Sequence, residues 1–226
     1  MQVDLAAGAN AIADPARAAM LDALLDGGPR SAGSLAREAG VAPSTASHHL
    51  GRLLDAGLVV VEPDGRRRAY RLAGPEVARA LEALALISPP QTPRTLRRHT
   101  RAEAERAART CYDHLAGTLG VAVCDALLDA RAIVPDGERA YALGPGAGAA
   151  LGALGIDLPP RGRRAYARPC LDWTERRPHL AGSLGAAIAD ALLARHWVTR
   201  VRGTRALLVT DSGRAGLREA LSLHAL

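Results

Sequence analysis

The chain has 226 residues, 48% apolar and 23% charged, with a net charge of +6, which describes a soluble globular protein of one large or two small domains. Aromatic residues make up only 3% and Phe is absent, so the core is expected to be built from Leu, Ala and Val. No apolar run approaches the roughly 18 residues of a membrane span, no basic-then-apolar leader opens the chain, and three irregularly spaced Cys do not form a disulfide framework. A reducing cytoplasm is the expected location.

Asp14-Pro15 starts a helix that carries Leu21, Leu24 and Leu25 inward and stops at Gly27-Gly28. Ser31 caps a short second helix ending at Gly40. A third helix starts near Pro43 and runs to about Ala56, with Gly57 as its stop. Leu58–Val61 reads as a strand, Pro63-Asp64-Gly65 as a turn and Arg68–Leu72 as the return strand. Pro75 opens a helix carrying Val77, Leu81, Leu84 and Leu86. A hinge is expected across Ser88–Pro93, followed by an Arg-rich helix from about Arg94 to Thr110. That helix reads as a solvated connector, with pairs such as Arg101 and Glu105, or as a flank for the DNA backbone.

The remainder contains an internal repeat. His114–Leu128 and His179–Leu193 are identical at eleven of fifteen positions. Each copy is followed by a hairpin, Ala132–Val134 with Arg139–Leu143 and Trp197–Val201 with Arg205–Val209, then by a Gly/Ala/Leu helix. Cys-x-Asp precedes each copy, as Cys111-Tyr112-Asp113 and Cys170-Leu171-Asp172. A pseudo-twofold pair is the expected arrangement. The fold class is therefore mainly α with small β-hairpins (α+β). Residues 1–90 form a winged helix-turn-helix, and residues 91–226 a module of two repeated helix-hairpin-helix units.

On the third helix, Ala46, Leu50, Leu53 and Leu54 share the inward face. Ser44, Thr45, Ser47, His48 and Arg52 lie elsewhere, and their small polar character suits entry into a major groove. Arg66, Arg67 and Arg68 at the hairpin tip have no folding role and suit contact with phosphates or a minor groove. Bulk charge does not single out this region: residues 1–90 carry 9 Arg against 10 acidic residues, and residues 91–226 carry 20 against 13.

Ser31–Leu50, with Ser47-His48-His49-Leu50, then Ala56-Gly57-Leu58-Val59 and a basic wing, resembles the ArsR-type repressors across about residues 10–87. The resemblance implies a homodimer on double-stranded DNA with a palindromic operator, repressing until an effector binds. Metal-sensing members carry paired Cys in the second helix of the motif, or Asp/His clusters in the dimerising helix. Residues 31–40 contain no Cys or His, and residues 75–87 no His, Asp or Cys, so neither familiar metal site carries over.

The resemblance does not reach residues 94–226. Their candidate effector set is Cys111, Tyr112, Asp113, His114, Cys170, Asp172, Trp173 and His179. Four readings stay open: structural caps and core, a small-molecule pocket, a metal site, or thiol switching at Cys111 and Cys170. Gly117, Gly120, Gly182 and Gly185 read as close helix-packing positions. An enzyme using Cys111 and His114 lacks a surrounding catalytic motif, and a winged domain that binds only protein would not need a basic wing. The chain is therefore expected to be a regulator and not an enzyme. No cofactor is certain, and the effector is an unknown small molecule or metal.

Overall fold

A computed structural model describes residues 2–64, 67–89, 95–160, 162 and 164–224, with backbone alone at 64 and 67. The chain divides into two compact units, Met1–Ala85 and Leu86–Leu226. The expected hinge residues 90–93 and the expected helix start at Arg94 lie outside the described residues.

The first unit opens with α1 (Leu5–Ile12), which buries no residue and so had no inward stripe by which to be predicted. In α2 (Pro15–Leu24), the Asp14 carboxylate accepts the amides of Ala16 and Arg17, and Met20, Leu21 and Leu24 are buried. Ser31 caps α3 (Ala32–Ala39), and Gly40 closes it in the left-handed region at φ 66°, where a side chain would be strained. Next is α4 (Pro43–Asp55), with Ala46, Leu50 and Leu53 buried. Each fully buried Leu contributes roughly 1.5–3 kcal/mol over its exposed state.

A three-stranded sheet in the order β1-β3-β2 joins β1 (Arg30–Ser31), β2 (Val59–Asp64) and β3 (Arg67–Leu72). The two-residue β1, paired Arg30 to Tyr70 and Ser31 to Ala69, is too short to carry an alternating pattern. The predicted turn at Pro63-Asp64-Gly65 needs correction. β2 continues through Pro63 and Asp64, which pair with Arg68 and Arg67, while Gly65 and Arg66 lie outside the described residues. Pro63 is tolerated because β2 is an edge strand. α5 (Pro75–Ile87) leaves Leu84 and Ile87 exposed.

The second unit begins with α6 (Leu96–Ala107), capped by Thr95 and carrying the expected Arg101–Glu105 pair at 2.8 Å. The helix was expected to reach Thr110. It stops at Ala107 because Arg109 and Thr110 are taken into a strand, where they pair with Ala116 and Leu115. That strand, β4 (Arg109–Cys111), forms a hairpin with β5 (His114–Ala116). α7 (Gly117–Asp129), the hairpin of β6 (Ile133–Asp136) and β7 (Ala140–Leu143), and α8 (Ala147–Ala153) follow.

The second half repeats this order. β8 (Arg168–Leu171) pairs with β9 (Pro178–Ala181), and α9 (Ser183–Ala194) follows. β10 (Val198–Arg200) then pairs with β11 (Leu207–Val209), and α10 (Asp211–Leu221) ends the series. The predicted helix-hairpin-helix unit therefore gains a hairpin ahead of its first helix. Strands of three or four residues with little alternation gave no period-2 signal.

The two halves interlock. In β4, Arg109 bridges to Ala206, and the Thr110 amide donates to the Arg205 carbonyl at 3.0 Å. In the other direction, the Tyr141 amide donates to the Ala167 carbonyl at 3.0 Å. One continuous core spans both halves, including Leu119, Leu127, Ile133, Leu184, Leu192 and Leu217.

Close packing at two glycines holds the leading hairpins. A Cβ on Gly120 of α7 would stand 2.6 Å from the Leu115 carbonyl and 3.5 Å from His179 Cβ. A Cβ on Gly185 of α9 would stand 2.4 Å from the Leu180 carbonyl and 3.3 Å from His114 Cβ. Each helix thus lies against its own hairpin and against the histidine of the other half.

Candidate DNA interface and a buried Cys/His cluster

The two candidate sites differ in construction. The first is the outer face of α4. Burial of Ala46, Leu50 and Leu53 turns Ser44, Thr45, Ser47, His48 and Arg52 outward, and all five are exposed. Nothing lies within 4 Å of where a Gly51 Cβ would be, so the face is low as well as polar. No side chain caps the α4 N-terminus, which leaves first-turn amides able to meet a phosphate. Ser47 Oγ donates to the Pro43 carbonyl at 3.0 Å, so part of its capacity is used within the helix. His49 turns the other way, its Nδ1 lying 3.7 Å from the Asp14 carboxylate. Of the predicted wing residues, Arg68 is exposed and pairs across the sheet with Pro63. Arg67 is described by its backbone alone, and Arg66 lies outside the described residues.

The second site is inside the C-terminal unit. Cross-strand pairing sets Cys111 opposite His114 in the first hairpin, and Cys170 opposite His179 in the second. The hairpins bring these four residues together, with one potential ligand atom from each lying within 4.8 Å of all the others. The two imidazole rings are 5.1 Å apart. His114 and His179 sit on strands, so they are not the helix caps that one sequence reading allowed.

A carboxylate backs each imidazole. Asp113 Oδ1 is 3.1 Å from His114 Nδ1, and Asp172 Oδ2 is 3.4 Å from His179 Nδ1. Each carboxylate meets a guanidinium in turn. Arg164 grips Asp113 with two bonds, at 2.5 and 2.9 Å, and Arg109 meets Asp172 at 2.9 Å, with both side chains of that second pair fully buried. Asp172 also accepts the Gly117 amide at 2.7 Å and, through its other oxygen, the Thr174 amide and hydroxyl.

Charge follows this arrangement. Burial would raise the Asp113 carboxyl, but His114 and Arg164 outweigh it and bring it to about 2. Burial acts the same way on Asp172, and His179 and Arg109 again prevail and lower it. For His179, burial disfavours the cation, yet Asp172 and Cys170 raise its pKa. The neighbouring Cys111 thiol lowers the Cys170 thiol far below its usual range, against the effect of burial and with help from both imidazoles. The third cysteine, Cys124, behaves oppositely, since burial pushes it up to about 11.

The structure thus brings together Cys111, His114, Cys170 and His179, with Asp113 and Asp172 directly behind them. Trp173 and Tyr112 are not among the four. The Trp173 ring packs on the Arg109 guanidinium at 4.8 Å, and Tyr112 occupies the first hairpin turn at φ 62°. Sequence reasoning missed Arg109 and Arg164. Arg-x-Cys-x-Asp occurs twice, at Arg109–Asp113 and Arg168–Asp172, and this extension of the repeat marked Arg109 as more than part of a connector. Beside the cluster, Leu115, Gly120, Val123, Leu180, Gly185 and Ile188 line an apolar cavity of about 10 Å³, room for at most about one water.

Comparison with known proteins gives the following. A family described as a helix-turn-helix domain matches residues 12–62. An uncharacterized HTH-type transcriptional regulator of Bacillus subtilis, YdfF, is 36% identical over 225 residues, covering 99% of each chain. The HTH-type transcriptional regulator CmtR of Mycobacterium tuberculosis is 44% identical over 77 residues, 34% of this chain and 64% of CmtR. A solved homodimeric winged helix-turn-helix DNA-binding domain from Mycobacterium bovis, a possible ArsR-family regulator, is 32% identical. The match covers 38% of this chain and 87% of that one, at a TM-score of 0.34. Among the described residues, no helix is long and apolar enough to cross a membrane.

Proposed function

The chain belongs to the HTH-type regulators of transcription, and from that premise we propose that it is an ArsR-type winged helix-turn-helix protein, a homodimeric cytoplasmic repressor whose C-terminal unit senses an effector. The observation that carries the DNA half is the exposed polar face of α4, where Ser44, Thr45, Ser47, His48 and Arg52 surround the open position at Gly51. α4 enters the major groove, and Arg66, Arg67 and Arg68 of the wing hold phosphates beside it. Two copies place two such helices on a palindromic operator. In the first unit, the exposed apolar side chains Leu5 in α1 and Leu84 in α5 are available for packing by a second copy.

Residues 1–90 act as the DNA-binding domain and residues 91–226 as a duplicated effector and dimerisation domain. The buried Cys/His cluster supports a sensing role for the second domain, with Cys111, His114, Cys170 and His179 as the sensing residues and Asp113 and Asp172 backing the two imidazoles.

The test is DNA affinity across a salt series for the full chain and for a variant with Arg66, Arg67 and Arg68 all changed to Ala. The expected result is a loss of about tenfold or more on every DNA sequence, with the log–log salt slope flattened by about 2–3. An unchanged slope would remove the wing from the interface.

A further inference from the structure

We propose that Cys111, His114, Cys170 and His179 bind one zinc(II) ion per chain, held by both halves of the repeat at once. The proposal deepens the sensing role given above, and its test reads metal uptake without using DNA.

The donor set is two sulfurs and two ring nitrogens with no oxygen, which suits a borderline-soft four-coordinate ion and does not suit magnesium or calcium. In a tetrahedral zinc site the ligand atoms stand roughly 3.3–3.8 Å apart. A cluster already within 4.8 Å closes on an ion with small side-chain shifts.

The imidazoles are set for the task. Asp113 and Asp172 stand at the two Nδ1 atoms, which leaves Nε2 as the atom each ring presents. Both Nε2 atoms are buried without a hydrogen-bond partner, and His179 Nδ1, 3.4 Å from Asp172, faces its carboxylate as an ion pair without a formed hydrogen bond. An unsatisfied buried polar atom costs about 1–3 kcal/mol, and metal ligation satisfies two at once. A carboxylate on the far nitrogen is the outer-shell partner that fixes a ligating histidine.

Charge selects a divalent ion. Arg164 already balances Asp113, and Arg109 balances Asp172. Two thiolates and two neutral imidazoles carry a charge of minus two, so a dication makes the centre neutral. Binding releases to solvent the protons that the thiols and imidazoles hold in the metal-free site, and no electron moves. All four positions are filled by protein, which makes the centre a cross-link between the hairpins with no vacant catalytic coordination position.

The experiment uses the full chain, purified with reductant, stripped by a chelator and titrated with cobalt(II) and then zinc(II). The expected result is one cobalt per chain, showing strong visible bands of tetrahedral geometry and a thiolate charge-transfer band, displaced by one zinc. Cys111→Ser and Cys170→Ser each weaken zinc affinity by about 100-fold or more, while Cys124→Ser, buried outside the cluster, leaves it unchanged. Should the cysteine variants not fold, Asp113→Asn keeps all four ligands and is expected to lose about 10–100-fold.

The proposal is overturned by no uptake in the folded wild-type chain, or by full affinity in both cysteine variants. It is equally overturned if the freshly trapped protein carries a Cys111–Cys170 disulfide or an iron–sulfur cluster in place of zinc. DNA affinity of the same preparation is measured in parallel. A folded chain that takes up no metal yet still binds DNA through the wing removes the zinc site and leaves the DNA reading standing.

Discussion

Helix α4 of the N-terminal unit keeps its polar chemistry outside and its apolar groups inside, while the leading hairpins of the C-terminal unit bury charge. In α4 the inward residues are Ala46, Leu50 and Leu53, and Ser44, Thr45 and His48 face solvent. In the second unit Arg109, Asp172, His114 and His179 are all buried. A surface site needs only a helix aimed correctly, and its side chains can change at little cost to folding. A buried site ties recognition to stability, because each charge there depends on its partner.

The sharpest way to test this contrast is Arg109→Ala. It strands Asp172 in the interior and is expected to cost about 3–5 kcal/mol, read by denaturant unfolding of the full chain. Arg106→Ala removes the exposed pair with Glu175 and is expected to cost at most about 1 kcal/mol. Equal losses would erase the distinction between buried and surface charge.

A smaller effect compares two helical glycines. Gly185→Ala drives a Cβ against the Leu180 carbonyl and is expected to cost about 1–3 kcal/mol. Gly51→Ala meets open space and is expected to gain about 0.5–1 kcal/mol from helix propensity, seen as a higher melting temperature. On the DNA face the expected effect touches binding and not folding. His48→Ala or Ser44→Ala should cost about 1 kcal/mol on an operator and leave affinity for random DNA nearly unchanged, which competition binding would show.

The same contrast governed what was legible in the sequence. α2, α3 and α4 announce themselves through Asp14, Ser31, Gly40 and the Leu50/Leu53 stripe, because caps and amphipathic faces are local signals. The helix and second hairpin of each half were visible through the duplication. The hairpins that carry Cys111, His114, Cys170 and His179 were not, since strands of three or four residues are defined by what they pair with. The residues of the cluster could be singled out by repetition. Their convergence could not, because it depends on contacts between residues more than fifty positions apart. Arg109 was misassigned to a helix for the same reason: its buried partner, Asp172, lies 63 positions away.

The backbone bonds that cross between halves also set an order of assembly. Every element of the winged unit closes within residues 1–87, so it can finish folding while later sequence is still being made. The second unit cannot. Arg109 waits for Ala206, and that closure over nearly a hundred residues is slow and carries a large entropic cost. During synthesis a nascent chain therefore passes through a stage in which a competent DNA-reading head is already formed ahead of an unfinished, Arg-rich and Leu-rich segment. That stage is the molecule's point of greatest exposure to aggregation, and the place where a chaperone would act.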